Sequence, residues 1–349
     1  MNRARKLYET IGAEAVLTKK SFLRLYLTGF ESSAGYVLSD KDKDVFFTDS
    51  RYTEAARAAL KGTGIEVVEM ERRTTIDDYL KGYKQLAIPF EQTMYLEYKR
   101  LADKGFELVD SSAAFTQAMT IKTEEELSRI QRACDIAEAA LKKLMGELRE
   151  GMTETEASAL LEYYMISGGA REVSFNTICC FGSTGSQPHH VPDQTKLKFG
   201  DSVLIDFGCK VDGYCSDETR TFLFGDDKKH EEFKKCYQAV LDAHNLVLET
   251  ACAGMTGQEI DSIARNSLAK EGLDKYFTHS LGHGIGINIH EHPVIAQRSE
   301  TKIVDGMVFS DEPGVYFDGQ FGIRIEDSCT MKGGKVQTFM TSSKQLLIL

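Results

Sequence analysis

A stretch opening at Gly151, GMTETEASALLEYYMISGG, returns in altered form at Gly254 as GMTGQEIDSIARNSLAKEG. Each copy carries a Thr-x-x-Glu capping box, Thr153 with Glu156 and Thr256 with Glu259. In such a box the hydroxyl and the carboxylate satisfy the free amides of a helix start. Downstream of each copy, a glycine is followed six residues later by a carboxylate at the end of an apolar strand. These are Gly200 to Asp206 in FGDSVLIDFG and Gly306 to Glu312 in DGMVFSDEPG. Coincidence of cap, helix and strand is a poor explanation for the match. An internal repeat commits this part of the chain to two like halves. Each half delivers a carboxylate from a strand, which suits a site built on a pseudo-two-fold axis.

The repeat leaves the first third of the chain unaccounted for. There, AVLTKK, GYVLSD, DVFFTDSRY and IEVVEM have the short apolar runs of strands, and RYTEAARAALKGTG reads as a helix ended by glycine. This is an α/β pattern without a cluster of nucleophiles or ligands. QAMTIKTEEEL marks the boundary, and a long helical pattern runs from Thr123 to Gly151. A length of 349 residues fits two domains. With 42 basic against 53 acidic residues the net charge is −11, which argues against binding along a phosphate backbone. No apolar run nears the roughly 18 residues of a membrane span, and the N-terminus lacks the apolar core of a signal peptide. The expectation is a soluble cytoplasmic protein, with no nucleic-acid or membrane partner. The eight cysteines include no CxxC pair and read as reduced, mostly buried thiols.

Six of the eight histidines fall in two segments: His189 and His190 in PHHVP, and His279, His283, His290 and His292 in HSLGHGIGINIHEHP. The glycines of the second segment allow backbone to approach a ligand closely. His279 and His283 have the spacing of a zinc-binding helix, but Gly282 and Gly284 flank His283 and no HExxH is present. The segment is therefore expected on a strand or loop. Asp206 ends SVLIDFG and Asp217 sits in GYCSDETRTFLF, with a hairpin turn expected at Asp212-Gly213 between them. Glu312 ends MVFSDEPG and Glu326 sits in GIRIED, again around a glycine-containing turn. Acids flanked by apolar strand residues are costly to bury unpaired, and neutralising cations account for all four together. Four carboxylates with the His283 imidazole suit Mn²⁺, with Co²⁺, Fe²⁺ or Zn²⁺ as other occupants. One ion leaves charge over; two balance four carboxylates, and a pair of ions lowers the pKa of a bridging water while polarising a carbonyl.

DFG…GYCSDETRT, HSLGHGIGINIHEHP, EPGVY and GIRIED, in this order, resemble the pita-bread-fold metallopeptidases, in the branch of Xaa-Pro aminopeptidases and Xaa-Pro dipeptidases (prolidases). The resemblance extends weakly to TDSRYTEAA near the N-terminus. It implies an α/β two-domain chain: a creatinase-like α/β domain over residues 1–121 and a pita-bread, pseudo-two-fold α+β catalytic domain over residues 122–349. It also implies that Asp206, Asp217, His283, Glu312 and Glu326 hold two divalent metal ions, bridged by Asp217 and Glu326. Glu312 would double as proton shuttle for a metal-bridging hydroxide. His189, His279 and His290 would line the substrate site and steady the oxyanion, and Arg324 would orient the centre. The expected activity is that of an Xaa-Pro aminopeptidase acting on proline-containing peptides as a homodimer. An X-Pro bond has no N–H for a peptidase to grip, and a metal-activated attack needs none.

Departures bear on substrate preference. His190 stands where the family commonly has a small residue. Val294 stands where some dipeptidases carry an arginine that holds the product carboxylate, which favours longer peptides, although Arg298 is close enough in sequence to substitute. The alternatives are an X-Pro dipeptidase, a methionyl aminopeptidase, which usually lacks the N-terminal domain, a metal-free creatinase, and a non-catalytic peptide-binding relative. The filled ligand positions weigh against the last two.

Overall fold

The computed structural model describes residues 2–71, 75–225 and 230–349. They form two compact units, Met1–Met119 and Thr120–Leu349. The first unit is built on a six-stranded sheet. In spatial order its strands are Glu66–Glu69, Asp44–Thr48, Tyr36–Asp40, Ala15–Thr18, Gln85–Ile88 and Glu107–Asp110. The central strands pair antiparallel and the flanking ones parallel. All four strands expected from the sequence are present. The helix expected over RYTEAARAALKGTG is shorter, Thr53–Ala59, and Leu60 rather than a glycine caps it. The two further strands, QLAI and ELVD, are four residues each and too short to show a period.

In the second unit, helices Glu124–Met145 and Glu154–Ser167 cover a sheet of Ile178–Phe181, Asp201–Phe207 and Glu218–Phe224. Helices Glu231–Thr250 and Gly257–Lys270 then cover a sheet that includes Gly282–Gly284, Val308–Asp311 and Asp327–Lys332. Both capping boxes form as expected. The repeat is also visible in hydrogen bonds that the sequence does not announce. The Gly151 amide donates to the Leu197 carbonyl and the Gly254 amide to the Ile303 carbonyl, both at 2.8 Å, and each partner donates back one residue further on. Thr153 bridges Lys196 as Thr256 bridges Lys302. The long helix stops at Met145 instead of running to Gly151. The physical reason is that reciprocal pairing: Gly151 adopts φ of 86° to turn its amide to Leu197, and a helix cannot supply that. The two sheets meet where Thr219 bridges Glu326, with the Glu326 amide donating to the Thr219 carbonyl at 3.1 Å. That seam between the halves is where the candidate site lies.

Candidate metal centre

Strand geometry delivers the acids. Asp206 lies in Asp201–Phe207 directly opposite Thr219, and Asp217 precedes the partner strand Glu218–Phe224. The chain between them turns at Asp212 (φ 48°) and Gly213 (φ 82°), as a hairpin with two left-handed residues requires. Glu312 follows Val308–Asp311, and Glu326 precedes Asp327–Lys332 across the same antiparallel ladder. His283 sits in the short strand Gly282–Gly284. The glycines beside it have a packing role that the sequence does not announce. A Cβ on Gly282 would lie 1.8 Å from the Ser310 carbonyl oxygen, and one on Gly284 would lie 2.3 Å from that of His292. They allow neighbouring backbone to come close, and Gly282 also lines the cavity.

The nine residues given metal, catalytic or substrate roles in the sequence line one cavity of about 550 Å³: His189, Asp206, Asp217, His279, His283, His290, Glu312, Arg324 and Glu326; His292 does not. Ligand atoms of Asp217, His283 and Glu326 lie within 4.8 Å of one another. The His283 Nε2 is 3.5 Å from both an Asp217 and a Glu312 oxygen. Asp206 is tied instead to Arg324, whose guanidinium donates to its Oδ2 at 2.6 Å, while the buried Oδ1 has no hydrogen-bond partner among the described residues.

The electrostatics are those of a site short of positive charge. Burial, then the neighbouring Asp206 and Glu312, raises the Asp217 pKa well above the usual carboxylate range. Burial and Asp217 do the same to Glu326. Glu312 is pushed up to about 8 by burial, against the pull of Arg324. Like charges in one site are expected to hold protons in this way. An orphaned Asp206 oxygen, crowded carboxylates and one imidazole make a donor set that fits divalent metal ions. His283 is suited to ligation because burial, with His290 beside it, lowers its pKa to about 4 and keeps the ring neutral.

The other histidines of the cavity fall into three kinds. His279 is also lowered to about 4, by burial and then Arg324. Its Nδ1 lies 2.8 Å from the Ser280 carbonyl and its Nε2 2.9 Å from the Tyr316 hydroxyl, so both ring nitrogens are taken. His189 and His290 are exposed to the cavity and have no hydrogen-bond partner among the described residues. His190 turns away to the buried Glu154 at 2.7 Å. Val294 lines the main cavity, whereas Arg298 lies on a neighbouring one that shares His279 and Ser280.

Sequence reasoning missed the hydroxyls that hold these groups. Arg324 donates to Tyr316 at 2.6 Å and to Thr219 at 3.0 Å, and Thr219 in turn donates to Glu326 at 2.6 Å. Ser310 donates to Glu312 at 3.0 Å and accepts from the His283 amide. The available signal is strand alternation: Thr219 and Ser310 stand two residues from Asp217 and Glu312, on the same strand face.

Comparison with known proteins places the chain in a family. Residues 128–332 match metallopeptidase family M24, and residues 1–118 match the creatinase/prolidase N-terminal domain. A Pyrococcus furiosus Xaa-Pro dipeptidase is 34% identical over 316 residues, covering 90% of this chain and 89% of that protein. The X-Pro aminopeptidase from Thermotoga maritima superposes with a TM-score of 0.93 at 32% identity, covering 99% of this chain and 100% of that one. The Xaa-Pro dipeptidase from Bacillus anthracis gives 0.92 at 33% identity, covering 99% and 98%.

Proposed function

Because the chain belongs to metallopeptidase family M24, with a creatinase/prolidase domain ahead of its pita-bread catalytic domain, we propose that it is an Xaa-Pro aminopeptidase. It would hydrolyse the bond between an N-terminal residue and a following proline. The observation that carries this reading is the gathering of five donor side chains and three histidines around one cavity. Asp206, Asp217, His283, Glu312 and Glu326 would hold two divalent ions, with Mn²⁺ the first candidate and Asp217 and Glu326 shared. Bound there, the ions supply a Lewis acid for the scissile carbonyl and a water acidic enough to attack near neutral pH.

The chain's own groups do the rest. Glu312 takes the proton of the attacking water and passes it to the proline nitrogen as the C–N bond breaks. Its Oε1 is steadied by Ser310 for that task. Arg324 fixes Asp206 and, through Thr219, Glu326, so the carboxylates stay in place as charge moves. His189 and His290, with ring nitrogens uncommitted, donate to the developing oxyanion. His279 has no nitrogen to spare and forms a wall of the pocket for the proline ring, together with Pro188 and Ile289.

A dipeptidase reading is favoured by the names of two of the relatives above, and an aminopeptidase reading by that of the third. Val294 at the cavity wall gives no charge to hold a product carboxylate, which weighs for the aminopeptidase. The test is release of the first residue from X-Pro-Y and X-Pro substrates after chelation and Mn²⁺ restoration. The expected result is cleavage that chelation abolishes and Mn²⁺ restores, with X-Pro-Y preferred. Preference for X-Pro overturns the ordering, and indifference to metal overturns the reading.

A further inference from the structure

Beside three of the candidate ligands stands a second acid on the opposite strand face: Glu218 next to Asp217, Asp311 next to Glu312, and Asp327 next to Glu326. All three are fully buried. Three cations meet them. Arg220 lies 3.0 Å from Glu218 and 2.9 Å from Asp327, and Lys344 lies 2.8 Å from Asp327. His244, buried in the helix Glu231–Thr250, places Nδ1 3.0 Å from Asp311 and Nε2 3.6 Å from Asp327. Among the described residues the imidazole is the one cation placed between Asp311 and Asp327. Asp311 and Asp327 raise its pKa to about 9, although burial, the largest single influence, opposes them.

The register makes His244 the critical member. Asp311 and Asp327 are direct partners in the antiparallel ladder Val308–Asp311 with Asp327–Lys332. Like charges directly opposite each other destabilise a strand pair. Continuing that register by one residue sets Glu312 opposite Glu326. Among the described residues His244 is the only ion-pair neighbour of Asp311, whose two oxygens meet no other polar partner.

We propose that His244 is a positioning residue for the metal centre: by bridging the opposed Asp311 and Asp327 it holds the end of this ladder closed, and with it the spacing of Glu312 and Glu326. The proposal rests on the reading of that centre as a divalent-metal site. Calorimetric titration of the chelated protein with Mn²⁺ tests it, at a temperature where circular dichroism shows each variant folded, using wild type, His244→Gln and the double variant His244→Gln/Asp311→Asn.

Affinity in His244→Gln is expected to fall by about 10- to 100-fold, the usual effect of losing a group that orients a ligand. Uncovering a negative charge would by itself strengthen cation binding, so the sign of the change reports position rather than charge. The double variant, with no opposed charges left, is expected to recover most of the loss. Unchanged Mn²⁺ affinity in His244→Gln, whatever its melting temperature, or a loss that persists in the double variant, overturns the inference alone. A wild type that binds no Mn²⁺ overturns the metal reading and this inference with it. Should the single variant not fold, the double variant decides. Affinity close to wild type supports the inference, and failure to bind overturns it.

Discussion

Arg324 carries more of the site than any other single side chain. Its guanidinium reaches Asp206, Tyr316 and Thr219 at 2.6–3.0 Å, three directions that one flat fork serves and an ammonium does not. Arg324→Lys is therefore expected to keep the buried charge and lose the geometry. At about 1.5–3 kcal/mol for a hydrogen bond to a charged group, turnover should drop at least tenfold, measurable as kcat on an X-Pro-Y substrate. A variant with wild-type kcat would remove Arg324 from the account. At this scale the charged residues were legible in the sequence, because acids and histidines inside apolar runs stand out against their surroundings. Tyr316 was not legible, and for Thr219 and Ser310 strand alternation gives a shared face with Asp217 and Glu312 but no role, because a hydroxyl is common on any strand. Only the fold shows that these three face Arg324, Glu326 and Glu312. Nor does the sequence show that both nitrogens of His279 are occupied, since one partner is a backbone carbonyl.

Among the elements, the strand that carries His283 depends on the absence of side chains around it. An added Cβ on Gly282 would meet the Ser310 carbonyl at 1.8 Å, and Ser310 is the residue that steadies Glu312. Gly282→Ala should destabilise the protein by about 1–3 kcal/mol or more, the cost of overpacking where backbone has to move. It should weaken metal binding in the same variant. Denaturant unfolding and metal content check the two effects, and a stable, metal-replete variant would contradict the packing described. The repeat was readable because caps, helix and strand recur in order. The contacts that make it structural, Gly151 to Leu197 and Gly254 to Ile303, join segments almost fifty residues apart, and no local period records them. The same pairing keeps the helix from reaching Gly151, where its pattern runs, and a turn at Gly146 and Glu147 ends it at Met145.

For the whole molecule, crowded acids make stability depend on pH when metal is absent. The folded protein raises the pKa of Glu312 from 4.5 to about 8 and that of His244 from 6.5 to about 9, and it raises Asp217 and Glu326 as well. Between pH 6.5 and 8 the folded state thus binds more protons than the unfolded chain, and stability falls as pH rises. His279 and His283, lowered to about 4, act with the opposite sign but below pH 6.5. The melting temperature of chelated protein is expected to decline from pH 6.5 to 8, and added Mn²⁺ to flatten that decline by taking the place of the protons. A metal-free melting temperature that rises over this window would contradict the electrostatics described. The central claim, that both halves of the catalytic domain converge on paired ions, is tested most directly by anomalous diffraction from Mn²⁺-soaked crystals at the metal edge. The expected result is two peaks about 3.5–4 Å apart, within bonding distance of Asp206, Asp217, His283, Glu312 and Glu326. A lone peak elsewhere, or none among these side chains, would contradict it.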